Sequence, residues 1–261
     1  MKYIFSDYDI NQNVSYVSKT VSSGFNYPED NVHPVINCKC FYHEHYDNEV
    51  PMHHAIMEGY RNTNITFNGD VVLTSNYVPG MPIMLSNVTT KVNLNGKKIL
   101  APIFEESNGA IVSGNTDSYA FWVKDGAELT IEGDGEVVAQ SATYSMAVWA
   151  AGGKVVIKGG SFYNNGDNSD LIYASGNSLV EIYGGEFHAN ENKGASGTKN
   201  PYPALNVKDK DRETAKIVVY GGKFYGFNPA DNVSEGANTN FVAEGYHAVE
   251  VEPNVWEVMP E

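Results

Sequence analysis

Apolar and polar residues alternate in short runs along most of this chain, and each run closes on glycine. ITFNG, VNLNG, LTIEG, VVIKGG, VEIYGG, IVVYGG and FVAEG end at Gly69, Gly96, Gly133, Gly159, Gly184, Gly221 and Gly245. Four residues before these glycines stand Ile65, Val92, Leu129, Val155, Val180, Ile217 and Phe241. Two before them stand Phe67, Leu94, Ile131, Ile157, Ile182, Val219 and Ala243. All are apolar, whereas the intervening positions include Thr66, Asn93, Glu132, Lys158 and Glu181. A period of two is that of a strand with one face turned inward. The glycines are spaced 27, 37, 26, 25, 37 and 24 residues apart, so two of the steps carry insertions. A short strand cannot bury such a face alone, but stacked copies can, and the fixed period predicts a solenoid.

A second strand precedes the glycine motif in several repeats: AFWVKDG, AVWAAGG, LIYASGN and ALNVKDK, at 120–126, 147–153, 171–177 and 204–210. Asp125-Gly126, Gly152-Gly153 and Gly176-Asn177 supply the sharp corners that follow them. Two or three short strands per repeat, with no 3.6-residue apolar period, predict an all-β, single-stranded parallel β-helix of about seven rungs. Residues 1–60 hold only two of the 25 glycines, which sets a boundary there. The expected organisation is a loop-rich segment over 1–60, the β-helix over 61–245 and a C-terminal cap over 246–261. The tail from Tyr246, with Trp256 and Val258, is expected to cover the last strand edge, and residues 50–64 the first.

The run GGKVVIKGGSFYNN, then YASGNSLVEIYGGEFHAN and the closing GYHAVEVEPNVWEV, resembles right-handed β-helix proteins of the pectin-lyase-like class. In particular it resembles repeats in virion fibre and spike proteins of tailed phages, and in surface proteins of gut bacteria. The resemblance covers roughly residues 64–258 and does not reach residues 1–60. It speaks for fold more than for function, because adhesins, lyases and fibres share this scaffold.

Charge narrows the partners. Against 17 Lys plus Arg stand 32 carboxylates, a formal charge of −15. Phosphate-rich surfaces call for the opposite sign, so neither nucleic acid nor membrane is expected as a partner. The opening MKYIFSDYDI has no apolar run behind it and reads as neither secretory signal nor anchor. The chain's two cysteines, Cys38 and Cys40, stand in a CxC that cannot staple a fold and suits a reducing compartment. Synthesis in a host cytoplasm follows as the expectation, with the virion as destination.

The chemistry of the resembled enzymes leaves few marks. Lyases of that class use a basic residue on a rung strand, but Arg61 precedes the first rung and Arg212 falls in an insertion. Polygalacturonase-like enzymes carry Asn-Thr-Asp, present here as Asn115-Thr116-Asp117, but also an Asp-Asp pair and Gly-His-Gly. Those companions are missing; the next rung offers Gly133-Asp134-Gly135. Asp117, Asp134, Asp167 and Asp170 could pair as glycoside hydrolysis requires. Isolated loop acids are more often turn-formers or solvated charge. The expectation is that the protein is not an enzyme and holds no cofactor.

Aromatic residues give a stronger signal. With Phe121/Val123, Val148/Ala150 and Ile172/Ala174 inward, Trp122, Trp149 and Tyr173 point outward in register on successive rungs. Tyr183 and Tyr220 stand outward on the other strand, beside Val156, Val218 and Val242. Such stripes are covered by a stacked sugar, a neighbouring copy in a three-fold fibre, or the chain's own insertions. These five aromatic residues are the candidate binding or chain-to-chain site.

CKCFYHEH, residues 38–45, raises a metal question. A zinc site from Cys38, Cys40, His43 and His45 needs a hairpin turning at Phe41-Tyr42, which suits the required positive φ poorly. Alternatively His43 and His45, on one side of an extended strand, could supply six nitrogens in a trimer, an arrangement implied by the phage-spike resemblance. The plain alternative is histidines hydrogen-bonded in a docking segment, and no metal is assigned. The expected function is a phage structural virion protein: a homotrimeric head fibre, decoration or spike docked on other virion proteins through residues 1–60, with host surface glycan as a further partner. A glycan-degrading spike enzyme and a bacterial surface adhesin are the alternatives.

Overall fold

The computed structural model describes residues 71–73, 82–107, 110–140, 143–164, 170–189 and 204–261, and two short strands upstream, Asn31–Val32 and His43–Glu44. The chain coils through three parallel sheets in turn, a parallel β-helix, and among the described residues no α-helix occurs. The aromatic sheet stacks Ile83–Ser86, Ala110–Lys124, Tyr144–Ala151, Ile172–Ser175 and Leu205–Val207. The motif sheet, built from the glycine-terminated runs, stacks Val71–Val72, Thr89–Asn93, Glu128–Glu132, Lys154–Ile157, Leu179–Ile182 and Lys216–Val219. The phenylalanine sheet stacks Lys97–Leu100, Gly135–Ala139, Ser161–Asn164, Glu186–His188 and Gly222–Tyr225.

Alternation decides what fills the coil. Leu129, Val155, Val180 and Ile217 lie in register, as do Ile131, Ile157, Ile182 and Val219, and all are buried. Each such side chain contributes about 1.5–3 kcal/mol relative to exposure. Phe121, Val123, Val148, Ala150, Ile172 and Ala174 turn inward from the aromatic sheet. In the third sheet Phe162, Phe187 and Phe224 stack at 5.1 and 4.7 Å between ring centres, giving the interior a phenylalanine column.

Glycine recurs because coils approach each other too closely for a side chain at one corner. A Cβ at Gly159 would lie 3.0 Å from the carbonyl oxygen of Gly133, and one at Gly221 would lie 2.5 Å from that of Tyr183. The register at the Gly96 rung departs from expectation by two residues. Thr90 and Val92, not Val92 and Leu94, pair with Leu129 and Ile131. Leu94 continues inward and occupies the space left by Gly135 and Gly160, where a Cβ would come within 2.6 Å of its side chain. The chain then turns on Asn95 (φ 48°) and Gly96 (φ 70°), positive values that Asn-Gly adopts readily.

The final rung is also less regular than its sequence suggests. Beyond Val219 a single bridge to Val242 forms, with Phe241 buried and Ala243 only partly so. The preceding loop is organised by Asn232, whose side-chain amide donates to the carbonyls of Asn228 at 3.1 Å and Thr239 at 3.1 Å. Tyr246–Glu252 and Val255–Pro260 then form an antiparallel hairpin, and its second strand lies antiparallel on Gly222–Tyr225, Trp256 opposite Phe224. An open strand edge is thereby paired.

The rung expected at Ile65, Phe67 and Gly69 lies outside the described residues, as do residues 50–64. The insertion after the Gly96 rung is an antiparallel pair, Phe104–Ser107 against the start of Ala110–Lys124. Upstream, Asn31 and Val32 pair in parallel with His43 and Glu44; the turn considered at Phe41-Tyr42 lies outside the described residues.

Candidate functional site

Trp122, Trp149 and Tyr173 occupy one outward column of the aromatic sheet, with Met84 before them and Asn206 after. Register makes the rings meet. Trp122 and Trp149 stack 4.9 Å apart with planes 5° from parallel, while Tyr173 follows at 6.4 Å, tilted by 48°. A sugar binds a ring through its face, and in this column Trp149 has Trp122 on one face and Tyr173 towards the other. Tyr119, on the same strand as Trp122, packs across the column, and Phe104 from the antiparallel insertion backs it. Tyr119 sets its edge against Trp149 at 5.2 Å and Trp122 at 6.3 Å, and Phe104 packs on Tyr119 at 5.0 Å. Trp122 is left 5% exposed. Cover by the chain's own rings, Tyr119 and Trp149, therefore accounts for Trp122. Trp149, half-buried, donates from Nε1 to Ser175 Oγ at 2.9 Å.

The column opens at its Tyr173 end into a polar corner. Asn206, level with Tyr173, donates from Nδ2 to Asp170 Oδ2 at 3.0 Å. Asn164, buried one coil earlier, donates to the Asp170 carbonyl at 3.2 Å and fixes its backbone. Burial pushes the Asp170 carboxyl up to about 7; the Asn206 bond opposes the rise and the Glu235 charge adds to it. Burial also raises the Tyr173 hydroxyl to about 12, helped by Asp170, Asp211, Asp209 and Glu235. Glu235 reaches in from the Asn232 loop. One of its oxygens accepts the Val207 N–H at 2.6 Å, and the other meets Arg212 Nε at 2.6 Å. Arg212 also holds Asp209 at 2.7 Å through Nη2.

The expectation of no enzymatic activity rested on loop acids being turn-formers or solvated charge, and Asp117 and Asp170 overturn it. Asp117 is 5% exposed and accepts hydrogen bonds from Tyr119 Oη and, at 2.6 Å, Thr116 Oγ1. Asp170 keeps a proton near neutrality, which is the form a general acid takes. The non-enzyme reading is therefore withdrawn. Asp134 sits exposed at the corner between the motif and phenylalanine sheets, on a different part of the coil from Asp117. Asp167 and the Asn115 side chain lie outside the described residues.

Tyr183 and Tyr220 belong to a separate face. They stack 4.7 Å apart, 5° from parallel, outward from the motif sheet, and Tyr246 meets Tyr220 edge-on at 5.5 Å. Tyr183 is 49% exposed. The five sequence-derived aromatics thus form two surfaces. A third ladder escaped the sequence reading: Tyr163, His188 and Tyr225 stack at 4.3 and 4.1 Å outside the phenylalanine column. Burial lowers the His188 pKa, with Glu186 opposing. Its signal lies in GSFY, GEFH and GKFY, where a phenylalanine and a second ring follow each rung glycine at constant offset.

Among the described residues no group of three or more His, Cys, Asp and Glu is placed to hold a metal ion. Cys38, Cys40 and His45 lie outside them. No described helix is long and apolar enough to cross a membrane. Comparison with protein-family models, curated proteins and solved structures finds no match.

Proposed function

We propose that the protein is a structural subunit of a phage virion, a homotrimeric head fibre, decoration or spike docked through residues 1–60, and that it contacts host-surface glycan at the Tyr173–Asn206–Asp170 corner. The glycan contact rests on the corner itself: a tilted aromatic ring at the end of its stack, beside an amide and a carboxyl that already share a hydrogen bond. A ring takes the C–H face of a sugar while amide and carboxyl take its hydroxyls. The virion assignment draws its support from the resemblance of the repeats to phage fibres. Glycan-array binding tests the contact. The wild type should retain oligosaccharides and Tyr173→Ala should lose them at least tenfold; equal binding by both ends the proposal. Incorporation into particles tests the mount, since a chain lacking residues 1–60 should stay in the unbound fraction.

One observation favours glycan cleavage as a second reading. Asp170 carries its proton near neutrality beside Glu235, which is ion-paired to Arg212, and carboxyls in contrasting surroundings are how glycosidases divide acid from base. Reducing ends released from a bound polysaccharide by the wild type, but not by Asp170→Asn, would establish it; release by neither removes it.

A further inference from the structure

We infer that the Tyr173 corner selects uncharged or amino sugars and rejects acidic ones such as uronic, sialic or sulfated residues. The inference rests on the glycan contact proposed above and adds the ligand's charge class. Four carboxylates border the corner: Asp170 within it, Glu235 behind it, and Asp209 and Asp211 on the short 3-10 turn that follows Leu205–Val207. The arginine among them is occupied on both sides, through Nε by Glu235 at 2.6 Å and through Nη2 by Asp209 at 2.7 Å. Recognition of a sugar carboxylate or sulfate rests on a free guanidinium or ammonium at the subsite. Lys210, between Asp209 and Asp211 on that turn, is exposed and flanked by a carboxylate on each side. Two further lysines share this face but stand in the neighbouring column. Lys208 is level with Ser175, as its N–H bonds to the Ala174 carbonyl, and Lys124 leans over Trp122 at 5.2 Å.

The field at the ring agrees with that geometry. The charges acting most on the Tyr173 hydroxyl are Asp170, Asp211, Asp209 and Glu235, all negative. At longer range the formal charge of −15 opposes the approach of a polyanion. A neutral sugar meets no such penalty, because its hydroxyls donate to the carboxyls and accept from the Asn206 amide. An amino sugar gains further, since its ammonium makes charge-assisted bonds to carboxylates.

The test measures binding of oligosaccharide sets to the full chain: mannan fragments against oligogalacturonate at pH 8, and chitosan fragments against oligogalacturonate at pH 6, where the chitosan amines carry protons. Mannan or chitosan fragments should bind about tenfold or more tighter than oligogalacturonate. That gap should narrow at high salt, where charge repulsion is screened, and narrow again in Asp170→Asn. Oligogalacturonate binding as tightly as the neutral set, and lost in Tyr173→Ala, overturns the charge selection while leaving the glycan contact standing. Binding indifferent to Tyr173→Ala, or absent for all three sets, overturns both.

Discussion

Asp170 sits in a loop corner where a solvated carboxylate would be ordinary, and its surroundings reverse that behaviour. Its folded pKa is raised to about 7 from an ordinary 3.8, so the native state holds the proton more tightly than the unfolded chain. An acid shifted upward contributes most to stability below its unfolded pKa, and that contribution falls as pH rises through the folded one. The window runs from about pH 4 to pH 7, and complete ionisation costs on the order of 2–4 kcal/mol. Asp170→Asn keeps an oxygen for the Asn206 amide and removes the titration. Thermal melts should therefore show the variant close to wild type at pH 4 and more stable at pH 8. Parallel pH curves for the two proteins would show that Asp170 ionises freely in the fold.

At the scale of elements, the antiparallel insertion acts on the aromatic sheet through Phe104, which backs Tyr119. Phe104 is buried against Tyr119, and Tyr119 presses edge-on against both tryptophans. Phe104→Ala should cost about 3 kcal/mol and shift tryptophan emission to the red as Trp122 gains water. Unchanged emission would assign the cover to other residues. The strands themselves were legible in the sequence, because alternation at Leu129, Val155, Val180 and Ile217 states both element and inward face. The register at Gly96 was not. Leu94 fills space vacated two coils away by Gly160, a long-range exchange that local periodicity does not encode. The order of Trp122, Trp149 and Tyr173 was equally legible, since rung register follows from period. Their burial depends on Tyr119 packing across the column, and the polar corner depends on Asp170, Asn206 and Glu235 meeting from separate coils and a loop. The Tyr163–His188–Tyr225 ladder was legible in principle, but it lies after the glycines and the alternating motif precedes them.

At the scale of the molecule, coils contact their neighbours and little else, so the ends decide solubility. Deleting residues 246–261 bares the Gly222–Tyr225 edge that Val255–Pro260 now pairs. The shortened chain should form aggregates visible in light scattering; a monodisperse product would show that the hairpin is dispensable as a cap. With Trp122 enclosed by its own chain, the proposed trimer is drawn to the Tyr183 and Tyr220 face. Tyr183→Lys should then lower the sedimenting mass to that of a single chain without altering the fold, whereas a wild-type monomer would end the trimer proposal. The glycine corners carry one more consequence, for descent. Gly133, Gly159, Gly184 and Gly221 each end a motif, and at the last three a Cβ would press on backbone of the preceding coil. A copying slip that repeats or drops the DNA between two of these codons leaves every corner seated. A slip of another length drives a side chain into a neighbouring carbonyl. A change in the number of residues between these corners therefore keeps the fold when it adds or removes a whole coil.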